Sequence, residues 1–555
     1  MGFPQQIAGL FASLEVKEAL PLLEIPPEAA LGDYALPCFH LARERKKAPQ
    51  AVAQELAAQL AGHPDATFLA KVVATGPYVN FFIKPATLIK AAFEETARKP
   101  LGKTMVIDYS SPNIAKPFGI GHLRSTVIGG ALKRVYAYAG WKTVGINHLG
   151  DWGTQFGKLI VAYKRWPVDI AHSETPIKDL LALYVRFHAE AEKDLSLEEA
   201  ARAEFKRLEE GDAENTALWQ QFRDLSLAEF GRLYEKMHVS FESTAGEAFY
   251  NDKMTPVVDE LQEKGLLEKD DGALVVKFDP EERFSVPAII IKSDGATTYM
   301  TRDLAAILYR KQTYNFDRIL YEIGSEQNLH LRQLFAIVKR MGHPWWTQCF
   351  HVNHGLYRFE EGKMSTRKGQ VVFIEDVLAQ AVERTLATIK EKNPDLSDKE
   401  AVAERVAVGA IIFNDLKNDR ILDIIFDWDE ILDFEGESGP YLMYTHARLR
   451  SILRKSDQQP LLDPTMLADE EGLAVARHLL LFDTAIDQVV ENNKPHTLAR
   501  WLLGMAALIN SYYQKHRVIQ EDKMLEQARL ALVSRVADRL KLGLELLGIW
   551  APEEM

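Results

Sequence analysis

Cysteine is nearly missing from this chain of 555 residues: Cys38 and Cys349 are the only two, far apart and in apolar surroundings. A disulfide framework and a thiolate metal cluster both need more sulfur than that, so the pair reads as two buried thiols. Long apolar runs are missing as well. No stretch reaches the ~18 residues of a membrane span, and the opening MGFPQQIAGLFASLEVKEAL mixes acidic and basic side chains without the layout of a signal peptide. A cytoplasmic protein that does not engage membranes is the expectation. Basic excess is the third absence. With 66 Lys and Arg against 79 Asp and Glu the formal charge is −13, so any RNA partner must meet local basic patches on an acidic body. What is present is an ordinary globular composition, 47% apolar and 26% charged, at a length that suggests about three or four domains.

Chemistry concentrates between Val106 and Gly140, VIDYSSPNIAKPFGIGHLRSTVIGGALKRVYAYAG. Val106 and Ile107 are the apolar end of a buried strand, and Asp108 to Asn113 leave it with side chains that cannot enter a core unpaired. Pro112, Pro117, Gly119 and Gly121 interrupt regular structure. Leu123, Val127, Ala131, Leu132, Val135 and Ala139 then recur at helical spacing, which predicts a helix from near His122 to a C-terminal cap at Gly140. A helix N-terminus at the carboxyl end of a parallel strand presents free N–H groups and the positive end of the helix dipole, and so suits a phosphate. Gly121 lets the backbone come close and His122 adds a donor. By itself the loop also reads as a turn carrying a partly exposed histidine. Lys116, the Ser-Ser-Pro-Asn run and a lysine loop far downstream, KMSTRKG from Lys363 to Gly369, favour nucleotide chemistry.

The run SSPNIAKPFGIGHLRS resembles the signature loop of arginyl-tRNA synthetases, a variant of the HIGH motif of class I synthetases, and KMSTRKG resembles their KMSKS loop. The likeness covers nearly the whole chain. It departs at Gly119, where the HIGH pattern has its first histidine, and at Thr366, where KMSKS has its second lysine.

The expected fold is multidomain α/β. Residues 1–98 read as an α+β domain, with a helix at 49–60 and a hairpin of 68–74 with 78–83, and resemble the domain that the family places against the tRNA elbow. Residues 99–435 are expected to form a doubly wound, Rossmann-like catalytic domain. Apolar strands at 143–146, 288–291 and 319–323 end in polar residues and precede helices, which sets ligands along the carboxyl edge. An insertion at about 158–285 shows no chemistry. Residues 436–555 read as an all-α bundle, with helices at 441–455, 470–491, 496–514 and 523–547, and resemble the family's anticodon-binding domain. RERKK (43–47), the basic side of 441–455, and Tyr512, Tyr513 and His516 are candidate RNA contacts. Solvated surface and core packing are their plain alternatives.

The activity that the resemblance implies is arginine–tRNA ligation: ATP-dependent formation of arginyl-adenylate, then transfer to the 3′-terminal adenosine of tRNA(Arg) with release of AMP and pyrophosphate. It also implies that bound tRNA is needed before arginine is activated. Arginine presents a planar fork of permanently charged donors, so its pocket needs carboxylates held in plane. The family pattern assigns Asp108 and Asp303 to that duty, with Ser110, Asn113, Tyr299 and Gln327 as further arginine contacts. It assigns ATP to Pro112, Phe118, Gly119, Ile120, Gly121, His122, His148, Gly150, Met364, Ser365 and Arg367. Lys116, His122, Lys363 and Lys368 are the expected catalytic groups, neutralising charge as the arginine carboxylate attacks the α-phosphate in line. Mg²⁺ is expected to travel with ATP, without a metal site of the protein's own, and the chain is expected to be a monomer.

Two other readings stay open at this point. A nucleotidyltransferase shares the G-x-G-H loop but lacks a long helical tail, and a synthetase-like RNA binder without activity would have no need of Asp108, Asp303 and Lys363.

Overall fold

The computed structural model describes residues 2–14, 16, 19–95, 97–284, 286–358 and 372–555. Lys363, Met364, Ser365, Thr366, Arg367 and Lys368 therefore lie outside the described residues. The chain packs as two compact units, one of residues 97–448, 485–503 and 540–555, the other of 1–96, 449–484 and 504–539.

The larger unit is organised by four parallel strands: β1 (Thr104–Asp108), β2 (Lys142–Ile146), β3 (Arg318–Gly324) and β4 (Cys349–His354). Their order in the sheet is β4-β3-β1-β2. Val106 stands opposite Val144 on one side and Ile319 on the other, and all three are buried, so an apolar row runs across the sheet. β1 leads to β2 on one flank, whereas β3 and β4 lie on the other. The chain thus changes direction at the carboxyl ends of β1 and β3, the place where sheets of this class open a ligand crevice.

The helix Ile120–Tyr138 follows β1 and lies on the sheet, with Leu123, Val127, Ala131, Leu132 and Val135 buried. Gly129 is needed at that contact because a Cβ there would collide with the Tyr109 ring. Gly140 ends the segment with a φ of +94°, as a C-terminal glycine does. The first part of the insertion expected at about 158–285 is helical, Thr154–Arg165, Pro176–Ala191, Ser196–Glu209 and Ala213–Lys236. The chain beyond it returns to the sheet, where Ser243 pairs in parallel with Ile146.

Two expectations need correction. Residues Ala288–Ile291 do form a strand, but it belongs to a separate antiparallel sheet with Glu268–Asp270 and Ala273–Val276. Its burial alternates and leaves Ile289 exposed, a pattern that the uniformly apolar Ala-Ile-Ile-Ile conceals. The fourth place in the parallel sheet goes to Cys349–His354, whose histidines and asparagine disguise it.

In the smaller unit the strand Tyr78–Ile83 lies between Tyr34–Pro37 and Leu69–Thr75, both antiparallel to it, and the helix Pro49–Ala61 buries Val52, Leu56 and Leu60. The single helix expected at 470–491 is two, Glu470–Leu480 and Phe482–Asn492. Tyr512 is fully buried, with its ring 4.6 Å from that of His516, so it is a core residue; Tyr513 remains exposed. Among the described residues no helix is long and apolar enough to cross a membrane.

Candidate active site

β1 delivers Asp108 to the carboxyl edge of the sheet, where its carboxylate is buried. Asp108 Oδ2 lies 2.8 Å from Nη1 of Arg310, and Ser111 Oγ donates to Oδ1 at 2.9 Å. Arg310 comes from the helix Tyr299–Tyr314 and is also buried, with its guanidinium 6.0 Å from the Tyr250 ring and 5.5 Å from the Tyr321 ring. Its Nη2 is 3.2 Å from His148 Nδ1. Asp108 thus already holds a guanidinium, and it is the chain's own. Exchanging it for another would strand a buried charge at a cost of about 3–5 kcal/mol, so the expectation that Asp108 takes the substrate's guanidinium meets a physical obstacle.

Asp303 is differently placed. It sits one turn from the start of the helix Tyr299–Tyr314, part-buried, with Oδ2 2.6 Å from His330 Nε2 and Oδ1 3.9 Å from His148 Nε2. Burial alone would raise its pKa, but the hydrogen bond from His330 and the nearby positive charge of His330, His148 and Arg310 outweigh that and hold it below the usual carboxylate range. Beside it in the electrostatic field is a carboxylate that sequence reasoning passed over. Glu247, within the insertion, opens the short helical turn Glu247–Lys253, and its buried Oε2 lies 3.5 Å from Nη1 of Arg302. Burial pushes its carboxyl up to about 7, with the Arg302 guanidinium opposing and Asp303 and Asp151 reinforcing the rise. Tyr299, 67% exposed, Gln327 and Asn113 line the solvent side of these elements.

Gly119 caps the helix Ile120–Tyr138 with extended backbone, φ −82° and ψ 160°. Around it the signature loop pairs with the chain that follows the lysine loop: Ile120 N–H donates to the Val372 carbonyl at 3.2 Å, and Ile374 N–H to the Phe118 carbonyl at 3.1 Å. His122 stands in the first turn. Burial pushes its imidazole down to about 4, so it is neutral near pH 7, and its Nδ1 is buried without a partner among the described residues. The Phe118 ring lies 5.3 Å from it. Lys116 leans toward the insertion, with Nζ 5.4 Å from the Tyr184 ring, and burial lowers its pKa. Gly150 N–H donates to the Pro112 carbonyl at 3.1 Å, and Ile114 N–H to the Gly150 carbonyl at 3.2 Å. A Cβ at Gly150 would displace the Asn113 side chain at this stitch between the loops after β1 and β2.

The loop between β1 and the helix is held in an unfavourable backbone conformation. Ser110, Ser111 and Ala115 have φ of +71°, +47° and +56°, a left-handed region that costs a side-chain-bearing residue about 1–2 kcal/mol. Such conformations persist where neighbours over-determine them. Ser110 N–H donates to Ser125 Oγ at 2.9 Å, Ser111 N–H to Asn147 Oδ1 at 3.1 Å, and Ala115 N–H to Ser226 Oγ at 2.8 Å. A buried chain of polar groups runs beneath. Asn147 Nδ2 donates to the Tyr234 hydroxyl at 3.1 Å; Ser110 Oγ lies 2.8 Å from that hydroxyl and 2.8 Å from Thr126 Oγ1; Thr126 donates to the His122 carbonyl at 2.7 Å. Each hydroxyl has one hydrogen, and the carbonyl can only accept. Thr126 Oγ1 is the donor toward Ser110 Oγ as well, so its one hydrogen is shared between that oxygen and the His122 carbonyl. The Ser110 hydroxyl is thus held between Thr126 and Tyr234.

Comparison with known proteins adds to this geometry. The family model for the catalytic domain of class I (R) tRNA synthetases matches residues 86–428, that for the arginyl tRNA synthetase N terminal domain matches 3–83, and that for the DALR anticodon binding domain matches 442–555. The chain is 47% identical to the arginine–tRNA ligase of Halothermothrix orenii over 98% of its own length and 97% of that protein's, and 46% identical to that of Clostridioides difficile with the same coverage. The structure of Thermus thermophilus arginyl-tRNA synthetase superposes with a TM-score of 0.84 at 27% identity, covering 100% of this chain and 99% of that one. The arginyl-tRNA synthetase of Plasmodium falciparum, at 23% identity, shares the fold with a TM-score of 0.82 over 100% of this chain and 98% of that one.

Proposed function

The chain belongs to the arginyl-tRNA synthetases, and on that premise we propose which of its side chains carry the reaction. It is an arginine–tRNA ligase, which activates L-arginine with ATP and transfers the arginyl group to the 3′-terminal adenosine of tRNA(Arg), with release of AMP and pyrophosphate. The observation that supports our placing of the substrate is the electrostatically coupled pair Asp303 and Glu247, the second held up to about 7 by burial although Arg302 lies 3.5 Å from it. The substrate's guanidinium lies between them. Its charge adds to that of Arg302 beside Glu247 and draws that carboxyl into its ionised form. Tyr299 and Gln327 close the solvent side and Asn113 holds the α-amino or carboxylate end. Asp108 and Arg310 act from below, fixing His148 and Ser111.

The triphosphate lies over the start of the helix Ile120–Tyr138, against Pro112, Phe118, Gly119, Ile120, Gly121 and neutral His122, and the adenosine beside His148 and Gly150. His122 Nδ1 fits this placement as a buried nitrogen free to meet a phosphate oxygen. The arginine carboxylate attacks the α-phosphorus and the α,β-bridging oxygen leaves with pyrophosphate. Lys116, together with Lys363, Lys368, Met364, Ser365 and Arg367 of the lysine loop, neutralises the departing charge. Mg²⁺ arrives on the phosphate oxygens, since Asp108 and Asp303 are committed to Arg310 and His330. In the second step the 2′-hydroxyl of the terminal adenosine attacks the arginyl carbonyl and AMP leaves. The protein acts as a cytoplasmic monomer.

ATP–pyrophosphate exchange, measured with and without tRNA(Arg), tests this reading. Exchange should require arginine, and citrulline, which matches its shape without the charge, should not replace it. Exchange indifferent to arginine would mark a different enzyme, and no exchange an RNA binder.

A further inference from the structure

The insertion reaches under the site with two side chains of one helix, Ser226 at Ala115 and Tyr234, that have no part in the reaction itself. The helix Ala213–Lys236 sets the Tyr234 hydroxyl between Ser110 and Asn147, residues that lie 124 and 87 positions away in the chain. Ser110 and Ser111 are two of the left-handed residues in the loop that carries Asn113 and leads into His122. The ring of Tyr234 is fixed independently of its hydroxyl, 5.8 Å from Phe118 and 5.0 Å from Phe241. The chain after the helix is pinned as well, with Asn147 N–H donating to the Ser243 carbonyl at 2.9 Å. A rigid tyrosine thus places one hydroxyl, hydrogen-bonded to both, between the two loops where arginine and ATP must align.

We propose that Tyr234 is a positioning residue for adenylate formation: through Ser110 and Asn147 it holds the β1 loop at the attack geometry, which makes the insertion a working part of the catalytic unit. Resting on the functional reading above, this concerns how well the carboxylate is aimed at the α-phosphorus rather than how tightly either substrate is held. A misplacement of about 1 Å lowers a rate by about 100-fold with little change in binding. The hydroxyl is buried and touches neither substrate site, so its removal should separate the two quantities.

The test is Tyr234→Phe, which keeps the ring and deletes the hydroxyl, assayed by arginine-dependent pyrophosphate exchange with tRNA present. The expected result is a kcat lower by about 10- to 100-fold, with KM for arginine and ATP within about threefold of wild type and the urea midpoint of unfolding close to wild type. Ser110→Ala should give the same signature. The losses should combine to less than their product in the double variant, because part of the effect of Tyr234 passes through the Ser110 hydroxyl. An unchanged kcat with a shifted urea midpoint overturns the proposal and leaves Tyr234 a packing residue. Losses that multiply in the double variant overturn it too, by showing that Tyr234 acts elsewhere. A wild-type chain without arginine-dependent exchange removes the functional reading and the proposal together, whereas an active wild type matched by Tyr234→Phe removes the proposal alone.

Discussion

The carboxylates of Asp108, Asp303 and Glu247 differ in what already touches them, and that difference separates their roles. Asp108 has Arg310 at 2.8 Å in a buried pair. Asp108→Asn should therefore destabilise the fold by about 3–5 kcal/mol, and adding Arg310→Gln should return most of that by removing the stranded charge. Urea unfolding of the two variants checks it; a double variant no more stable than the single one would mean that Asp108 has another partner. Asp303→Asn, by contrast, should raise KM for arginine by an amount worth about 1.5–3 kcal/mol while KM for ATP stays near wild type. Glu247 gives the site its pH response. Its carboxyl is raised from 4.5 to about 7, first by burial. Between those values the folded chain keeps a proton that the unfolded chain has released, so this group's contribution to stability falls as pH rises through that window. Arginine binding runs the other way, because only the ionised carboxylate pairs with the guanidinium. KM for arginine should be flat above about pH 7 and rise as pH falls below it, and Glu247→Gln should abolish the rise. A wild-type KM independent of pH between 6 and 8 would place the guanidinium elsewhere.

At the scale of elements, the strand, loop and helix from β1 to Gly140 were legible because proline, glycine and apolar periodicity are local signals. The helix begins at Ile120, a turn's fraction before the expected His122. The same local signals failed for Cys349–His354, whose polar residues break the apolar run of a buried strand, and for Ala288–Ile291, whose apolar run hides a half-exposed one. Arg310, Glu247 and Tyr234 were missed for a different reason. A charged or aromatic residue within a helical stretch reads as an ordinary face, and its meaning lies in a partner far along the chain: Ser110 for Tyr234, Asp108 for Arg310. Backbone geometry also decides a question that the sequence leaves open at Gly119. With φ at −82° the backbone at this position does not demand glycine, so the histidine of the usual motif would meet no backbone strain there. Lys116→Ala should slow adenylate formation by about two to three orders of magnitude with arginine binding intact, and Gly119→His should restore part of that loss. Full activity of Lys116→Ala would leave the phosphates to His122 and the lysine loop.

For the whole molecule the question is how a chain of formal charge −13 takes up a polyanion. Its own field opposes RNA at long range, so binding depends on a few local cations, and each phosphate they neutralise should appear in the salt dependence. The RERKK cluster of the smaller unit divides on inspection. Arg45 donates to the Leu14 carbonyl at 3.2 Å and Lys47 is 2.7 Å from Glu55, so both are occupied by the fold. Arg43 and Lys46 are exposed at the end of the helix Phe39–Arg45, where Lys46 takes a φ of +51° that turns the chain away. Deleting the first 98 residues would be a poor test. Arg535 donates to the Ala92 carbonyl at 3.1 Å and Arg477 Nε lies 2.6 Å from Asp33 Oδ1, so the deletion would strip partners from the rest of the unit. Charge reversal is cleaner. Arg43→Glu with Lys46→Glu should weaken tRNA binding and lower the slope of log K against log salt by about 0.7–0.9 for each phosphate that is no longer neutralised, whereas Lys47→Glu should leave the slope nearly unchanged. Titrations of tRNA across a salt series read this directly. An unaltered slope in the Arg43 and Lys46 variant would make the cluster a solvated helix end and assign RNA binding to other cations of the chain.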